Sequence, residues 1–126
     1  MKIILSIMFG GALGALLRFF ISRWVSNIFG IIFPFGTLLI NLSGSLLIGI
    51  FYGLSERIII GNTLRAFITV GLLGAFTTFS TFAFENMNLF KDGEFKLGFI
   101  NILLTNIFGI IFVFLGFIIV GLIYKN

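Results

Sequence analysis

Four long apolar segments constrain this chain more than any other feature. They occupy residues 3–21, 35–54, 66–84 and 97–124, and each holds roughly 18 residues or more. At about 1.5 Å per residue, a helix of that length spans the ~30 Å hydrocarbon core of a bilayer. The chain is 60% hydrophobic and 10% charged, which exceeds what a soluble domain of 126 residues can bury. The sequence therefore predicts an all-α membrane protein in which residues 1–126 form one domain of four transmembrane helices.

Short polar linkers separate these segments and hold many of the charges. Residues 22–34 contain Arg23 beside Trp24, an interfacial pairing, and their apolar tail is predicted to lie at the membrane surface. Residues 55–65 and 85–96 form the other two linkers. All acidic residues are predicted at helix ends or in loops: Glu56, Glu85, Asp92 and Glu94. An even number of spans places both termini on one side of the membrane.

The composition excludes several classes of function. The chain has no Cys and no His, which removes thiolate chemistry, the usual proton shuttle and the commonest metal ligand. Without an embedded acid, no general base stands near any Ser or Thr, so an enzyme is not expected. The net charge is +4, but the eight Lys and Arg residues are scattered singly between apolar runs. Scattered cations indicate contact with lipid headgroups and not with a nucleic acid.

The distribution of these cations leaves the orientation in the bilayer undecided. Orientation normally follows an excess of Lys and Arg on the cytoplasmic side. Here four cations lie on the side of the termini and four towards the other side: Lys2, Arg57, Arg65 and Lys125 against Arg18, Arg23, Lys91 and Lys96. We therefore expect insertion both ways up and assembly as an antiparallel, dual-topology homodimer with two-fold symmetry. The alternative is that Arg18 lies too deep in the membrane to count, which leaves a slight excess of Lys and Arg on the side of the termini.

Hydroxyl groups cluster inside the third apolar segment. The cluster consists of Thr77, Thr78, Ser80 and Thr81. Each unpaired polar group in hydrocarbon costs several kcal/mol, so this part of the segment is expected to face a pore or a partner subunit. Phe79 and Phe82 are three residues apart, which places both rings on one face of a helix. Hydroxyl donors beside the positive edges of aromatic rings suit a small anion.

Polar residues also form a stripe down the second segment. Thr37, Asn41 and Ser45 recur at every fourth position and share one helix face. An amide offers two donors without a fixed charge, so such a stripe can coordinate an anion and still release it. Interhelical hydrogen bonding is the competing interpretation. On the fourth segment, Asn101 and Thr105 are predicted to complete a polar track opposite the two phenylalanines.

A charged residue and a helix break complete the candidate site. Arg18 lies near the end of the first segment, where it either faces the protein interior or snorkels to the interface. Gly71, Gly74 and the Thr77–Thr78 pair weaken the third segment, which predicts a helix broken at mid-membrane. Unwound backbone at that depth often coordinates a cation, and neutral oxygens with no acid nearby suit only a hard ion. In an antiparallel dimer, one ion would take ligands from both subunits.

Small residues predict close packing between the helices. Gly10 with Gly14, and Gly49 with Gly53, form G-x-x-x-G pairs that allow two helix backbones to approach closely. Such pairs are common in membrane helices. They indicate a packed bundle and carry no information about function.

Motifs in three of the four segments resemble those of the Fluc (CrcB-type) fluoride channels. They lie at residues 10–19 (GGALGALLRF), 36–45 (GTLLINLSGS) and 74–82 (GAFTTFSTF). The third motif is highly specific, and the resemblance covers essentially the whole chain. It implies a multi-pass protein of the bacterial inner membrane that forms an antiparallel homodimer with two pores. It also implies passive export of cytoplasmic fluoride, which lowers the toxic concentration of that ion.

The resemblance further implies roles for individual residues. Phe79 and Phe82 are similar to the phenylalanines whose ring edges face fluoride, and Asn41 is similar to the pore amide. The other residues assigned to the fluoride pore are Arg18, Ser80, Thr81 and Thr105. A structural sodium ion at the centre of the dimer would be held by the backbone carbonyls of Gly74 and Thr77. The chain departs from the family pattern at Ala75, where glycine is frequent, and at Asn101, where an aromatic residue is frequent.

Two other functions fit parts of the sequence. A small, dual-topology, proton-coupled exporter would match the chain length and the balanced charge, but that mechanism needs a carboxylate inside a helix. A non-transporting membrane assembly protein would explain the glycine pairs, but not the segment that combines hydroxyls with phenylalanines. A fluoride channel accounts for the balanced charge and for the segment that combines hydroxyls with phenylalanines.

Overall fold

The computed structural model describes residues 1–124, so Lys125 lies outside the described residues. Four helical stretches in this part of the chain are long and apolar enough to cross a membrane: Lys2–Phe29, Phe35–Ser55, Asn62–Lys91 and Phe95–Ile123. No β-strand occurs within residues 1–124. The prediction of an all-α, multi-pass membrane protein is therefore confirmed.

The first helix, α1, is longer than the sequence predicted. It covers Lys2–Phe29 and so includes most of residues 22–34, which were predicted to form a linker. The predicted end of the first helix was therefore wrong. The helix continues because Val25 is buried against the rest of the bundle. It ends at Gly30, whose positive φ of 82° is readily available only to glycine and whose amide donates to the carbonyl of Ser26. Helix α2, Phe35–Ser55, follows Pro34 and matches its predicted segment.

The third span is not one regular helix. Its first part, α3, covers residues 62–76 and consists of the α-helical turns Asn62–Ala66, the π-helical Phe67–Leu73 and the short turn Gly74–Phe76. Thr77 and Thr78 then take extended backbone conformations, with ψ angles of 153° and 120°. Helical structure resumes immediately afterwards in α4, Phe79–Lys91. A π-helical stretch is rare and often marks a functional region.

The fourth span, α5, covers residues 95–123 and carries a second π-helical stretch. The stretch Leu104–Phe108 lies between the α-helical parts Phe95–Leu103 and Gly109–Ile123. It follows α4, Phe79–Lys91, after a short turn. Both π-helical stretches contribute residues to the same cavity, described below.

Glycines set the closest contacts between helices, as the sequence predicted. A methyl group added at Gly14 of α1 would meet the amide nitrogen of Phe76 at 3.0 Å and the carbonyl oxygen of Leu72. A methyl group added at Gly49 of α2 would meet the carbonyl oxygen of Val113 on α5. Thus α1 packs against α3 and α2 packs against α5 at backbone-to-backbone distance. Close approach of this kind stabilises membrane helices by van der Waals packing.

Replacing Gly14 with alanine is expected to destabilise the bundle by about 1–3 kcal/mol, because the added methyl overpacks the contact between α1 and α3. The midpoint of thermal unfolding in detergent measures the change. Gly11→Ala is the matched control, since a methyl added at Gly11 meets nothing within 4 Å. Equal midpoints for the two variants would contradict this account of the packing.

Parts of all four spans meet at one end of the bundle. The hydroxyl of Ser6 donates to the carbonyl oxygen of Thr63 at 3.2 Å, which joins the start of α1 to the start of α3. A methyl added at Gly121, near the end of α5, would lie 3.3 Å from Nη2 of Arg57. The start of α1, the loop after α2, the start of α3 and the end of α5 therefore lie together. This arrangement agrees with an even number of spans.

Candidate functional site

The interruption of the third span is held open by a side chain from α2. The backbone amide of Thr78 donates to Oδ1 of Asn41 at 2.8 Å, and Nδ2 of Asn41 donates to the carbonyl oxygen of Thr78 at 3.1 Å. The Asn41 side chain thus pairs with both polar backbone groups of one extended residue. A methyl added at Gly44, one turn further along α2, would collide with Cγ2 of Thr77. The glycine therefore allows the interruption to lie directly against α2.

The hydroxyl of Thr78 organises the start of α4. Its Oγ1 accepts from the backbone amide of Thr81 at 3.2 Å, which is the usual N-cap interaction. It also lies 3.1 Å from Oγ1 of Thr81 and 3.4 Å from Oγ of Ser80. Three of the four clustered hydroxyls therefore surround one helix N-terminus. The fourth, on Thr77, donates to the carbonyl oxygen of Leu73 at 2.9 Å.

The interruption also frees two backbone carbonyls, at the end of α3 and directly after it. In a regular helix the carbonyl of Gly74 would accept from the amide of Thr78, but that amide donates to Asn41. The amide of Thr81, the usual partner of the Thr77 carbonyl, donates to the Thr78 hydroxyl instead. The carbonyl oxygens of Gly74 and Thr77 therefore lack their usual helical partners.

A cavity of about 340 Å³ lies beside the interruption, and we call it the phenylalanine cavity. Residues from α2, α3, α4 and α5 contribute to its wall. The wall includes Asn41, Ser45, Gly74, Thr77, Thr78, Phe79, Phe82 and Thr105. The cavity therefore combines two aromatic rings with hydroxyl and amide groups.

The two phenylalanines occupy different environments in this cavity. Their ring centroids are 5.6 Å apart, so they share one helix face as predicted. Phe82 is 6% exposed and packs within the chain, whereas Phe79 is 77% exposed. One chain therefore encloses only half of this aromatic pair.

A second cavity of about 500 Å³, the arginine cavity, lies on the other side of Thr78. Its wall includes Arg18, Ser22, Thr37 and Thr81. Arg18 is half-buried and borders this space, which agrees with a role inside the protein. Since Thr78 borders both cavities, the two lie on either side of the interrupted backbone.

A third space of about 600 Å³, the glutamate cavity, continues from the arginine cavity. Ser22 and Thr37 border both spaces, and Glu85 and Asn88 of α4 add to the wall of the third. Polar side chains therefore line a series of neighbouring cavities between α1, α2 and α4. Hydroxyl groups therefore border the arginine cavity, and both hydroxyl and carboxylate groups border the glutamate cavity.

The position of Glu85 corrects one prediction. The sequence placed every acidic residue at a helix end or in a loop, but Glu85 lies inside α4 and is half-buried. Its Oε1 accepts from the Thr37 hydroxyl at 2.7 Å, and its buried Oε2 has no hydrogen-bond partner within residues 1–124. The third span was predicted to end at residue 84, but α4 runs to Lys91, which makes the span seven residues longer at its C-terminal end.

The polar residues of α5 divide between the core and the phenylalanine cavity. Asn101 is fully buried and bonds to Asn86 of α4, so it does not form the polar track that the sequence predicted. Thr105 is half-buried and borders the phenylalanine cavity. The prediction that Asn101 and Thr105 share one helix face was correct, but the Asn101 side chain packs against α4.

The structure brings most of the predicted site residues to two neighbouring cavities. The phenylalanine cavity receives Asn41, Gly74, Thr77, Phe79, Phe82 and Thr105, and the arginine cavity receives Arg18 and Thr81. Ser80 borders none of the three cavities described here. Within residues 1–124 there is no group of three or more Asp, Glu, His or Cys residues that could hold a metal ion.

Sequence reasoning missed two features of this site. Thr78 was treated as one hydroxyl among several, although a threonine directly before an apolar helical run is a recognisable N-cap signal. The pairing of Thr37 with Glu85 had no signal, because the two residues lie 48 positions apart on different helices.

The comparisons with known proteins identify the family of this chain. A family model described as "CrcB-like protein, Camphor Resistance (CrcB)" matches residues 5–117. The chain belongs to the CrcB family. The resemblance inferred from the three sequence motifs is therefore confirmed.

Curated relatives in the CrcB family carry the name "Fluoride-specific ion channel FluC". One from Parabacteroides distasonis is 46% identical over 109 residues, which cover 86% of this chain and 85% of the relative. One from Aquifex aeolicus is 42% identical over 94% of this chain and 96% of the relative. One from Shewanella amazonensis is 47% identical over 92% and 94%. Channels are not enzymes, so these relatives support the expectation that this protein is not one.

Proposed function

We propose that this protein is a fluoride-selective ion channel that lets cytoplasmic fluoride leave the cell passively. The observation that carries the proposal is the phenylalanine cavity, where the rings of Phe79 and Phe82 lie beside the Asn41 amide at an interrupted helix. Relatives that are 42–47% identical over most of both chains are named as fluoride-specific channels, which supports the same function. Passive loss of the anion would lower its toxic concentration in the cell.

The chemistry of the cavities suits a small, strongly hydrated anion. Fluoride gives up water only where other donors replace it, and neutral donors bind it without trapping it. One N–H of Asn41 Nδ2 bonds to Thr78, which leaves its second N–H as a donor for the cavity. Aromatic ring edges carry partial positive charge and contribute further contacts. The neighbouring Arg18 adds a cation beside the adjoining cavity.

We further propose an antiparallel homodimer inserted both ways up in the bacterial inner membrane. The large exposed fraction of Phe79 supports it, because a second copy would complete the aromatic pair. Gly74 is also exposed, and a methyl added there meets only the carbonyl oxygen of Thr69 at 3.4 Å. The chain's own packing thus gives no reason for this glycine, whereas a closely packed copy does. A reporter fused to the C-terminus tests the topology, and signal from one side of the membrane alone would refute it.

A structural sodium ion is the third part of the proposal. The carbonyl oxygens of Gly74 and Thr77, freed by the interruption, are neutral oxygen donors that suit a hard cation. Such an ion would supply positive charge that holds the two interruptions together at the dimer axis. Protein that folds and conducts equally well after rigorous removal of sodium would argue against a required ion.

Flux from liposomes tests the function itself. Fluoride-loaded vesicles containing the purified protein are given a potassium diffusion potential, and a fluoride electrode records efflux. We expect efflux that follows the membrane potential without any pH gradient and that far exceeds chloride efflux from matched vesicles. Protein-free vesicles correct for the passage of neutral hydrogen fluoride. Equal efflux of chloride and fluoride would contradict selectivity.

A proton-coupled exporter remains the second candidate, because Glu85 places a carboxylate inside a transmembrane helix. The same vesicles distinguish the two mechanisms. An exporter would need a proton gradient to move fluoride, whereas a channel needs only the electrical and chemical gradient of the anion.

A further inference from the structure

A chain of hydrogen bonds connects the phenylalanine cavity to the protein core. Oγ1 of Thr105 donates to Oδ1 of Asn101 at 3.3 Å, and Nδ2 of Asn101 donates to Oδ1 of Asn86 at 3.2 Å. Nδ2 of Asn86 then donates to the carbonyl oxygen of Phe82 at 2.7 Å. Asn101 is 1% exposed and Asn86 is 5% exposed, so neither amide can exchange its partner for bulk water.

The direction of this chain is fixed at its inner end. A backbone carbonyl can only accept, so Asn86 must turn its NH₂ group towards Phe82 and its oxygen towards Asn101. Asn101 must then donate with its NH₂ group and present its own oxygen to Thr105. Reversing either amide would bring two acceptors together and leave buried groups unpaired, at about 1–3 kcal/mol each.

A hydroxyl carries a single proton, so the bond to Asn101 commits the proton of Thr105 to the protein. We propose that Asn86 and Asn101 are positioning residues that keep the Thr105 hydroxyl turned inwards. Its lone pairs then face the phenylalanine cavity, and Thr105 accepts from a water molecule instead of donating to the anion. This inference rests on the proposed passage of fluoride through that cavity. It assigns to Thr105 a role different from the donor role expected from the sequence.

An acceptor on one wall affects how long an anion stays in the cavity. The donors that face the ion then come from the side chains of Asn41 and Ser45 and from the polarised rims of Phe79 and Phe82, on the other walls. A hydroxyl free to turn on α5 would add one more donor and hold the ion longer. Conduction requires binding that is weak enough for the ion to leave, so the inward bond favours rapid release.

A set of variants measures this effect through the fluoride dependence of flux. In Asn86→Leu/Asn101→Leu, both amides are replaced together, so no buried amide is left without its partner. The freed Thr105 hydroxyl should lower the half-saturating fluoride concentration by roughly three- to tenfold, the worth of one neutral hydrogen bond. The saturating flux should fall as well, because release becomes slower. Adding Thr105→Val to this variant should return both quantities towards the wild-type values.

Thr105→Val should raise the half-saturating fluoride concentration less in the otherwise unchanged protein, where the hydroxyl proton is already committed to Asn101, than in the double leucine variant, where the hydroxyl is free to donate to the anion. Thr63→Val is the matched control, because Thr63 is exposed and borders none of the three cavities. The inference is overturned if the double leucine variant leaves both quantities unchanged, or if Thr105→Val has the same effect in both backgrounds. Absence of fluoride flux in the wild-type protein would instead refute the proposed function.

A second measurement does not depend on the folding of the leucine variants. Both proteins are labelled with ¹⁵N-asparagine. Compared with the wild-type protein, the Thr105→Val variant should show a shifted side-chain amide resonance of Asn101, because the substitution removes the donor to Oδ1. Adding sodium fluoride to the wild-type protein should leave that resonance in place. If fluoride shifts the resonance as Thr105→Val does, the hydroxyl turns towards the anion and the inference is wrong.

Discussion

Replacing Phe82 with isoleucine is expected to lower fluoride flux by up to about tenfold while leaving the protein folded. The substitution keeps an apolar side chain in a buried position but removes the polarised ring edge. Edge interactions of aromatic rings contribute up to about 1.5 kcal/mol, and a loss of ~1.4 kcal/mol at the barrier to passage corresponds to a factor of ten. Efflux from liposomes, recorded with a fluoride electrode, measures the change, and gel filtration in detergent checks that the protein remains intact.

Phe84→Ile is the matched control for this experiment. Phe84 lies on the same helix, is exposed and borders none of the three cavities, so its replacement should leave the flux unchanged. Phe79→Ile should reduce flux as Phe82→Ile does, since the two rings lie 5.6 Å apart in one cavity. Normal conduction by both variants would show that ring edges do not assist the anion.

The architecture was predictable because it depends on patterns that are local in sequence. Four apolar segments of sufficient length are read directly from the chain, and α2 begins and ends within one residue of its predicted limits. The boundaries of α1 and of the third span were harder to predict. There, polar residues such as Arg23 and Glu85 continue the helix, because their neighbours pack against the bundle. Burial of a neighbour is a tertiary effect and leaves no local signal.

The candidate site was predictable to the extent that helical periodicity defines a face. The spacing of Phe79 and Phe82 placed both rings together, and the four-residue spacing of α2 placed Asn41 towards the interior. The partners of these residues were not predictable. The bond from Asn41 to Thr78 joins positions 37 residues apart, and the bond from Asn101 to Asn86 joins two consecutive helices; only the packing of the helices brings these partners together.

The same packing explains why polar groups are tolerated at this site. The backbone of Thr78 is paired with Asn41, its hydroxyl caps α4, and Asn86 and Asn101 satisfy each other. Unwound backbone within a membrane is stable only where protein groups replace the lost helical bonds. The bonds made by Asn41 and Thr78 therefore stabilise the interruption and also determine which donors remain available to an anion.

Asn41→Leu is expected to have the largest effect of any single substitution in the site. It leaves the amide and the carbonyl of the buried Thr78 without partners, and each buried unpaired group costs about 1–3 kcal/mol. It also removes the amide donor of the phenylalanine cavity. We expect fluoride flux to fall more than about 100-fold, since each 1.4 kcal/mol corresponds to a factor of ten, together with a lower unfolding temperature. Ser43→Ala on the same helix is the control, because the Ser43 hydroxyl bonds only to its own helix, at the carbonyl oxygen of Ile40.

Asn41→Asp separates the structural role of this residue from its role towards the anion. The carboxylate keeps the bond from the Thr78 amide, so this variant should be more stable than Asn41→Leu. It should nevertheless conduct as poorly, because a negative charge in the cavity repels fluoride and the amide donor is gone. Thermal unfolding and liposome flux measured on the same preparations compare the two effects. An Asn41→Asp protein that conducts fluoride at the wild-type rate would show that this amide positions the backbone and does not face the ion.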